Sequence, residues 1–426
     1  MNSAPIENSL QPNDPPSVEA HDSIPNRRLN LAVVTRRFWP YSSPAEFAVA
    51  DLASEIKKQG HDVKVMTVRW ERTWPTHFQF QEFLVHRINR PTTGPWGSFR
   101  YLRTLNRELS ESSLDGIIVF GLDDEAWSVT KSFAGIIPIV IRISHMQLGH
   151  QDHLPDLTVR QIFSLNSASQ VLVESEWTAE RLARHPSVSR HNISVVREGI
   201  EVTPEHARTP ALHGTARVAI ADAHPVLMVD ASQPLVVCGA PLNGDQGMFD
   251  LLDAWAKVLK RFPKARLWIL SEGKKSRDIW DNLLEQHMIH SIVMPGSFDD
   301  LTDAFQAADV YVHPFRSQEA CGFLARALTH GVCPVVTSPG ASPTIIENNV
   351  SGLVVEPSNP AALADALILA LGNQDLRDRL GREALKAARS AYDIKDSVEA
   401  HLAPLVKLAS GDEAAQHDDQ DPETHH

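Results

Sequence analysis

Residues 308–336 read ADVYVHPFRSQEACGFLARALTHGVCPVV. The apolar run Val310–His313 predicts a short strand. A polar loop carrying Gln318, Glu319 and Gly322 follows, then a helix that ends near Gly331. Pro334–Thr337 predicts a second buried strand. Two short buried strands joined by a helix make a βαβ unit, the building block of a parallel, doubly wound sheet.

The same alternation extends in both directions. On the C-terminal side of residue 233, strands are expected at Pro234–Gly239, Ala265–Gly273 and Ser291–Gly296, and again in YVHP, PVVTS and GLVVEP. Helices are expected at Met248–Pro263, Arg277–Met288, Asp299–Ala308, Pro360–Asn373 and from Asp375 to about Leu408. On the N-terminal side, LNLAVVT (Leu29–Thr35) is a strand and AEFAVADLASEIKKQG a helix, with Phe47, Val49, Leu52, Ala53 and Ile56 at helical spacing and Gly60 as its stop. HDVKVMTV, Gly116–Gly121, Pro138–Ser144 and Ala168–Ser175 are further strands. WTAERLARH is a helix capped near Ser175, and Ile193–Glu201 is the last strand of this half.

The expectation is therefore an α/β chain with two Rossmann-like domains facing across a cleft. The N-terminal one spans 29–205 and the C-terminal one 233–390, with a linker at 206–232 and a C-terminal helix at 391–408. Residues 1–28, rich in Pro, Ser, Asn and Asp, read as a disordered leader, and 409–426 as an acidic disordered tail. Ligands of such sheets bind at the carboxyl ends of the strands, where loops and helix N-termini converge.

The net charge of −13, with six acids in the tail, argues against a broad nucleic-acid surface. Three widely spaced cysteines (Cys238, Cys321, Cys333) read as small buried hydrophobes in a reducing compartment. The sequence has no run of 18 apolar residues, and its N-terminus lacks the basic start and apolar core of a signal peptide. A cytoplasmic chain is expected.

The motifs and their order resemble glycosyltransferase family 4, retaining enzymes of group 1 type with the GT-B fold. The resemblance covers roughly residues 29–405. FWPYSSPAEFAVADLASEIKKQGHDVKVMT is similar to the family's opening, in which a glycine turn approaches the donor phosphate; Ser42 and Ser43 stand where the glycines are. VIRISHMQLGHQDH matches a family segment whose histidine, here His145, lies near the donor sugar. His150 and His153 follow, but no carboxylate or cysteine completes a metal spacing. Glu198-Gly199-Ile200-Glu201 stands where relatives usually have Asn-Gly-Val-Asp.

In the C-terminal half, relatives place an Arg and a Lys against the donor diphosphate. Here those positions are Ala240 and Gln246. The following Gly-x-Gly turn is Ser271-Glu272-Gly273, with Lys274 and Lys275 next. Relatives also keep two glutamates eight positions apart, one for the reacting sugar and one for the ribose. Counting from Glu319 gives Ala327 for the second, whereas anchoring on ARALTHG gives Gln318 and Arg326. TIIENNVSGLVVEPSNPAALADAL matches the family through Glu347, Gly352 and Pro357.

The resemblance implies a transferase of carbohydrate biosynthesis. It would move a sugar from a nucleotide-sugar donor to a glycan, lipid or small-molecule acceptor, with retention and with no metal or cofactor. His145 and Glu319 are the expected catalytic residues. Ser42, Ser43, Gln246, Gly273, Lys274, Gln318, Gly322 and Arg326 are the expected donor-binding residues. The uncharged Ala240 and Gln246, together with the loss of one of the two glutamates, motivate an alternative, a degenerate GT-B protein serving as partner subunit or carbohydrate-binding module. The Trp- and Arg-rich segment Trp70–Ser98 reads as an acceptor-facing loop, and peripheral membrane contact stays open.

Overall fold

The computed structural model describes residues 27–90, 95–144, 156–202, 209–239, 247–270, 276–296, 298, 300–315, 321–337 and 345–409. In the N-terminal part the order is β1 (Asn30–Thr35), α1 (Pro44–Lys58), β2 (Asp62–Arg69), β3 (His77–Phe80), β4 (Phe83–Asn89), α2 (Pro95–Ser110), β5 (Gly116–Phe120), α3 (Asp124–Phe133), β6 (Ile139–Ile143), α4 (Val159–Ser167), β7 (Gln170–Val173), α5 (Glu176–Ala183) and β8 (Ile193–Val195). In the C-terminal part it is α6 (Pro210–Ala223), β9 (Leu235–Cys238), α7 (Met248–Arg261), β10 (Arg266–Ile269), α8 (Ser276–Glu285), β11 (Ile292–Val293), α9 (Thr302–Ala307), β12 (Val310–His313), α10 (Cys321–Thr329), β13 (Cys333–Thr337), β14 (Leu353–Val355), α11 (Pro360–Gly372), α12 (Gln374–Ala391) and α13 (Ile394–Ala409).

Two sheets result. The first runs β3-β4-β2-β1-β5-β6-β7-β8 and is parallel except for β3, which pairs antiparallel with β4. The second runs β11-β10-β9-β12-β13-β14 with parallel pairing throughout. Strand alternation divides each core into two layers. In β1, Ala32 and Val34 face one layer with α2 and α3, while Leu31 and Val33 face the other with α1. In β12, Val310 and Val312 face the layer holding α7 and α11, and Tyr311 faces the opposite one. The strand–helix–strand reading of residues 308–336 is observed as β12, α10 and β13.

The C-terminal helix crosses back. Ile394, Val398, Leu402 and Leu405 of α13 lie at i, i+4, i+8 and i+11 and are buried with α1 and β1. Each such side chain contributes about 1.5–3 kcal/mol of burial, so the last helix ties the two halves together. Gly116 and Gly199 make room for it. A methyl on Gly116 would lie 2.8 Å from Leu405, and one on Gly199 would lie 2.6 Å from Ser397.

Several elements differ from expectation. The linker stretch contains α6, capped by Thr209, whose hydroxyl accepts from the Leu212 amide. Its inward face is only Ala216, Ile220 and one arginine, too small an apolar stripe to stand out by periodicity. That arginine, Arg217, is buried and donates to Asp309 Oδ2 at 2.9 Å and to the carbonyls of Ala307 and Asp230. The last N-terminal strand stops at Val195 rather than Glu201, because Val196–Gly199 turns toward α13. The Trp70–Ser98 loop contains the β3–β4 hairpin, with Gln81 at φ +48° in the turn, and the start of α2. The helical C-terminal stretch is broken at Tyr392–Asp393 into α12 and α13. Among the described residues no helix is long and apolar enough to cross a membrane.

Candidate active site in the interdomain cleft

In both sheets the parallel strands point their carboxyl ends toward the loops that carry the expected site residues. His145 follows β6 in the sequence, Gln246 follows β9, Gly273 and Lys274 follow β10, and Gln318 and Glu319 follow β12. These six positions lie outside the described residues. Ser42, Ser43, Gly322 and Arg326 lie within them.

Ser43 is the N-cap of α1, in extended conformation at φ −126°. Its amide donates to Glu46 Oε2 at 3.1 Å, and its hydroxyl donates to the same carboxylate. The hydroxyl expected to meet a phosphate is thus engaged inside its own helix. Ser42 Oγ donates to the Pro40 carbonyl at 3.5 Å.

Pro44, the first residue of α1, abuts the first turn of α10 from the other domain. A methyl on Gly322 would lie 2.4 Å from Pro44 Cβ and 3.0 Å from Glu198 Oε2. Glycine is required here for close approach, and it brings two helix N-termini together across the cleft. Each carries roughly half a positive charge, so their junction favours an anion.

Arg326 sits one turn further along α10. Its Nη2 donates to Asp51 Oδ2 of α1 at 2.6 Å and to Glu198 Oε1 at 3.2 Å. The guanidinium also stacks over Phe47, 4.8 Å from the ring centroid. Side-chain exposures of 13% for Arg326, 24% for Asp51 and 16% for Glu198 make this a largely desolvated triad. Burial alone would lower the Arg326 pKa, but the two carboxylates raise it overall. Glu198 is pushed up to about 7, first by burial and then by repulsion from Asp51 and Glu174, against the attraction of Arg326 and Arg142. Arg142, buried on β6, donates to the Val196 carbonyl and so holds the turn that presents Glu198.

The altered positions of the sequence therefore meet in space. Glu198 stands where relatives have Asn and Arg326 aligns with the second acid, and the two are an ion pair. Asp51 had no sequence reading. Its i+4 spacing from Phe47 was the available signal, a carboxylate on the face of a helix that otherwise packs.

The C-terminal framework is equally tight. Gly247, the N-cap of α7, has φ +78°, and a methyl there would lie 1.6 Å from the Pro314 carbonyl oxygen. This seats the α7 N-terminus against the chain leaving β12. A methyl on Gly239 would lie 2.6 Å from Phe323 of α10, which draws α10 over the end of β9. Thr337 Oγ1 donates to the His313 carbonyl at 3.2 Å, joining the ends of β13 and β12.

On the N-terminal side, Glu125 lies in the first turn of α3 and is buried. It accepts from Tyr101 Oη at 2.9 Å and from Arg36 Nη1 at 3.2 Å. Burial raises its pKa, with Arg36 opposing. Its visible task is to fix Arg36 just past β1. Among the described residues no cluster of His, Cys, Asp and Glu could hold a metal ion.

Comparison with known proteins agrees with this architecture. Residues 45–203 match the family described as Glycosyltransferase Family 4, and residues 233–373 match Glycosyl transferases group 1. An uncharacterized glycosyltransferase of Methanocaldococcus jannaschii is 23% identical over 406 residues, covering 89% of this chain and 98% of that protein. The sucrose-phosphate synthase of Thermosynechococcus elongatus superposes with a TM-score of 0.71 at 15% identity, over 90% of this chain and 100% of that one. The Anabaena protein HepE, solved with UDP and glucose, gives 0.68 at 14% identity, again over 90% and 100%.

Proposed function

We propose that this chain, which belongs to the family 4 glycosyltransferases and has their GT-B fold, transfers a sugar from a nucleotide-sugar donor to an acceptor on its N-terminal domain, with retention of configuration. In the reaction the anomeric C–O bond to the diphosphate breaks. A C–O bond to the acceptor oxygen forms on the same face, and the acceptor proton passes to the leaving diphosphate. Glu319 binds the sugar hydroxyls and His145 supports the sugar and leaving group. Gln246, Gly273, Lys274 and Gln318 contribute to the donor pocket, while Ser42 and Ser43 shape its edge through the loop that leads into α1, their hydroxyls being held by Pro40 and Glu46.

The observation that carries this reading is the Pro44–Gly322 junction, where the N-termini of α1 and α10 meet. Their partial charges favour a diphosphate in a site whose Ala240 and Gln246 are uncharged. HepE, a protein of the same fold, was solved with UDP, which supports a nucleotide as the donor's leaving group. Arg326 acts as the latch between the domains, because Asp51 and Glu198 already occupy its guanidinium.

Thermal unfolding with UDP, GDP and ADP tests the donor. A nucleotide at 100 times its Kd adds about 2.7 kcal/mol of stability. No shift with any of the three overturns the donor reading and leaves that of a partner subunit or carbohydrate-binding module. With a binding nucleotide in hand, Glu319→Ala abolishes transfer; unchanged turnover shows that the acid is misassigned.

A further inference from the structure

Three neighbouring parallel strands, in the order β4-β2-β1, each release a functional side chain immediately past the carboxyl end. Arg36 and Arg37 follow β1, Trp70 follows β2 and Arg90 follows β4. The four converge. The guanidiniums of Arg36, Arg37 and Arg90 lie 5.8, 6.0 and 5.0 Å from the Trp70 ring centroid. Trp70 Nε1 donates to the Arg36 carbonyl at 3.1 Å, which locks the indole in place. Arg36 is neutralised by Glu125. Arg37 and Arg90 are exposed and have no carboxylate partner among the described residues.

A fourth arginine joins the same network of rings, since Arg37 lies over Tyr41, Tyr41 meets Trp74 edge-on and Trp74 faces Arg87. Arg87 is 1% exposed and donates to the carbonyls of Trp39 at 2.6 Å and Pro75 at 3.3 Å. It stacks 4.1 Å from the Phe78 centroid and 4.9 Å from that of Trp74, again with no carboxylate partner among the described residues. Trp39 and Tyr41 stay 37% and 36% exposed at the rim. In a chain of net charge −13, this is a positive island built on aromatic faces. Guanidinium forks match phosphate and carboxylate oxygens. Exposed aromatic rings take the apolar face of a sugar or polyol. Arg37 is seven residues before Pro44, so the loop after β1 leads from the island directly to the junction with the other domain.

We propose that the acceptor is anionic, a sugar or polyol bearing a phosphate or carboxylate, with Arg37 and Arg90 holding the anion and Trp70 and Tyr41 lining the ring. The proposal rests on the reading of the chain as a glycosyltransferase with its acceptor on the N-terminal domain. Its chemistry is shared by a free sugar phosphate, a uronic acid and an anionic lipid headgroup.

The test is a tryptophan-fluorescence titration of the full chain with glucose 6-phosphate, glucuronate, glucose and phosphatidylglycerol vesicles. Saturable binding of at least one anionic probe, without binding of glucose, is expected. The probe that binds identifies the source of the anion. The Arg37→Gln/Arg90→Gln variant weakens that binding at least tenfold while keeping the wild-type Tm. Glucose binding as well as the anions, no anionic probe binding, or an unchanged affinity in the double variant overturns the proposal. A UDP thermal shift on both proteins separates the two readings. Its absence in the wild type removes the donor reading, whereas the anion titration stands or falls on its own.

Discussion

Arg326 of α10 and Asp51 of α1 are 275 positions apart in the chain and 2.6 Å apart in the structure. With Glu198 they make an ion triad that closes the two domains on each other beside the helix junction.

Removing the cation leaves two carboxylates facing each other with little water. Arg326→Ala should destabilise the protein by about 2–3 kcal/mol, below the full figure for a buried pair because Asp51 is partly exposed. Arg326→Glu, which restores an acid at this position, should destabilise it further. Denaturant unfolding of both variants gives the order, and an Arg326→Glu protein as stable as wild type would refute it.

The Glu198 carboxyl has a folded pKa of about 7 against an ordinary value of 4.5. Between those values the folded chain holds a proton that the unfolded chain has lost. Stability from this group is therefore complete below pH 4.5 and declines as pH rises to about 7. The groups facing it are Asp51, Arg326, Glu174 and Arg142. Glu198→Gln cannot titrate, so its Tm should fall less than that of the wild type between pH 5 and pH 7.5. Parallel Tm profiles would exclude Glu198 as the titrating group.

Gly322 tests the junction itself. The Pro44 ring is rigid and cannot swing away from a new methyl 2.4 Å distant. Gly322→Ala should cost about 1–3 kcal/mol and part the helix ends. Solution scattering should report a larger radius of gyration, and the UDP-induced Tm shift should shrink. A compact variant with the full UDP shift would show that the junction does not form the donor site.

Arg217 fastens α6 to Asp309 and to the carbonyls of Ala307 and Asp230. Arg217→Ala strands these buried acceptors and should cost about 3–5 kcal/mol. Val218, the next residue, is 62% exposed, and Val218→Ala should stay within about 0.5 kcal/mol. Equal effects at both positions would mean that α6 does not pack as described.

Much of this architecture was legible in the sequence because strand and core-helix patterns are local. Val310–His313 is buried at every position since both faces of β12 are covered, and Phe47 to Ile56 repeats at helical spacing since one side of α1 is buried. The family motifs likewise read directly from residue order. What escaped was polar and remote. α6 hid because its anchor is an arginine rather than an apolar stripe, and β3 and β4 hid in a segment whose Trp and Arg content suggested a loop. The sequence alone determined two parallel-sheet domains and marked Glu198 and Arg326 as departures. Only the tertiary structure decided that those departures form one ion pair, joined by an unremarked Asp51, because a salt bridge between residues 128 positions apart depends on how whole domains pack.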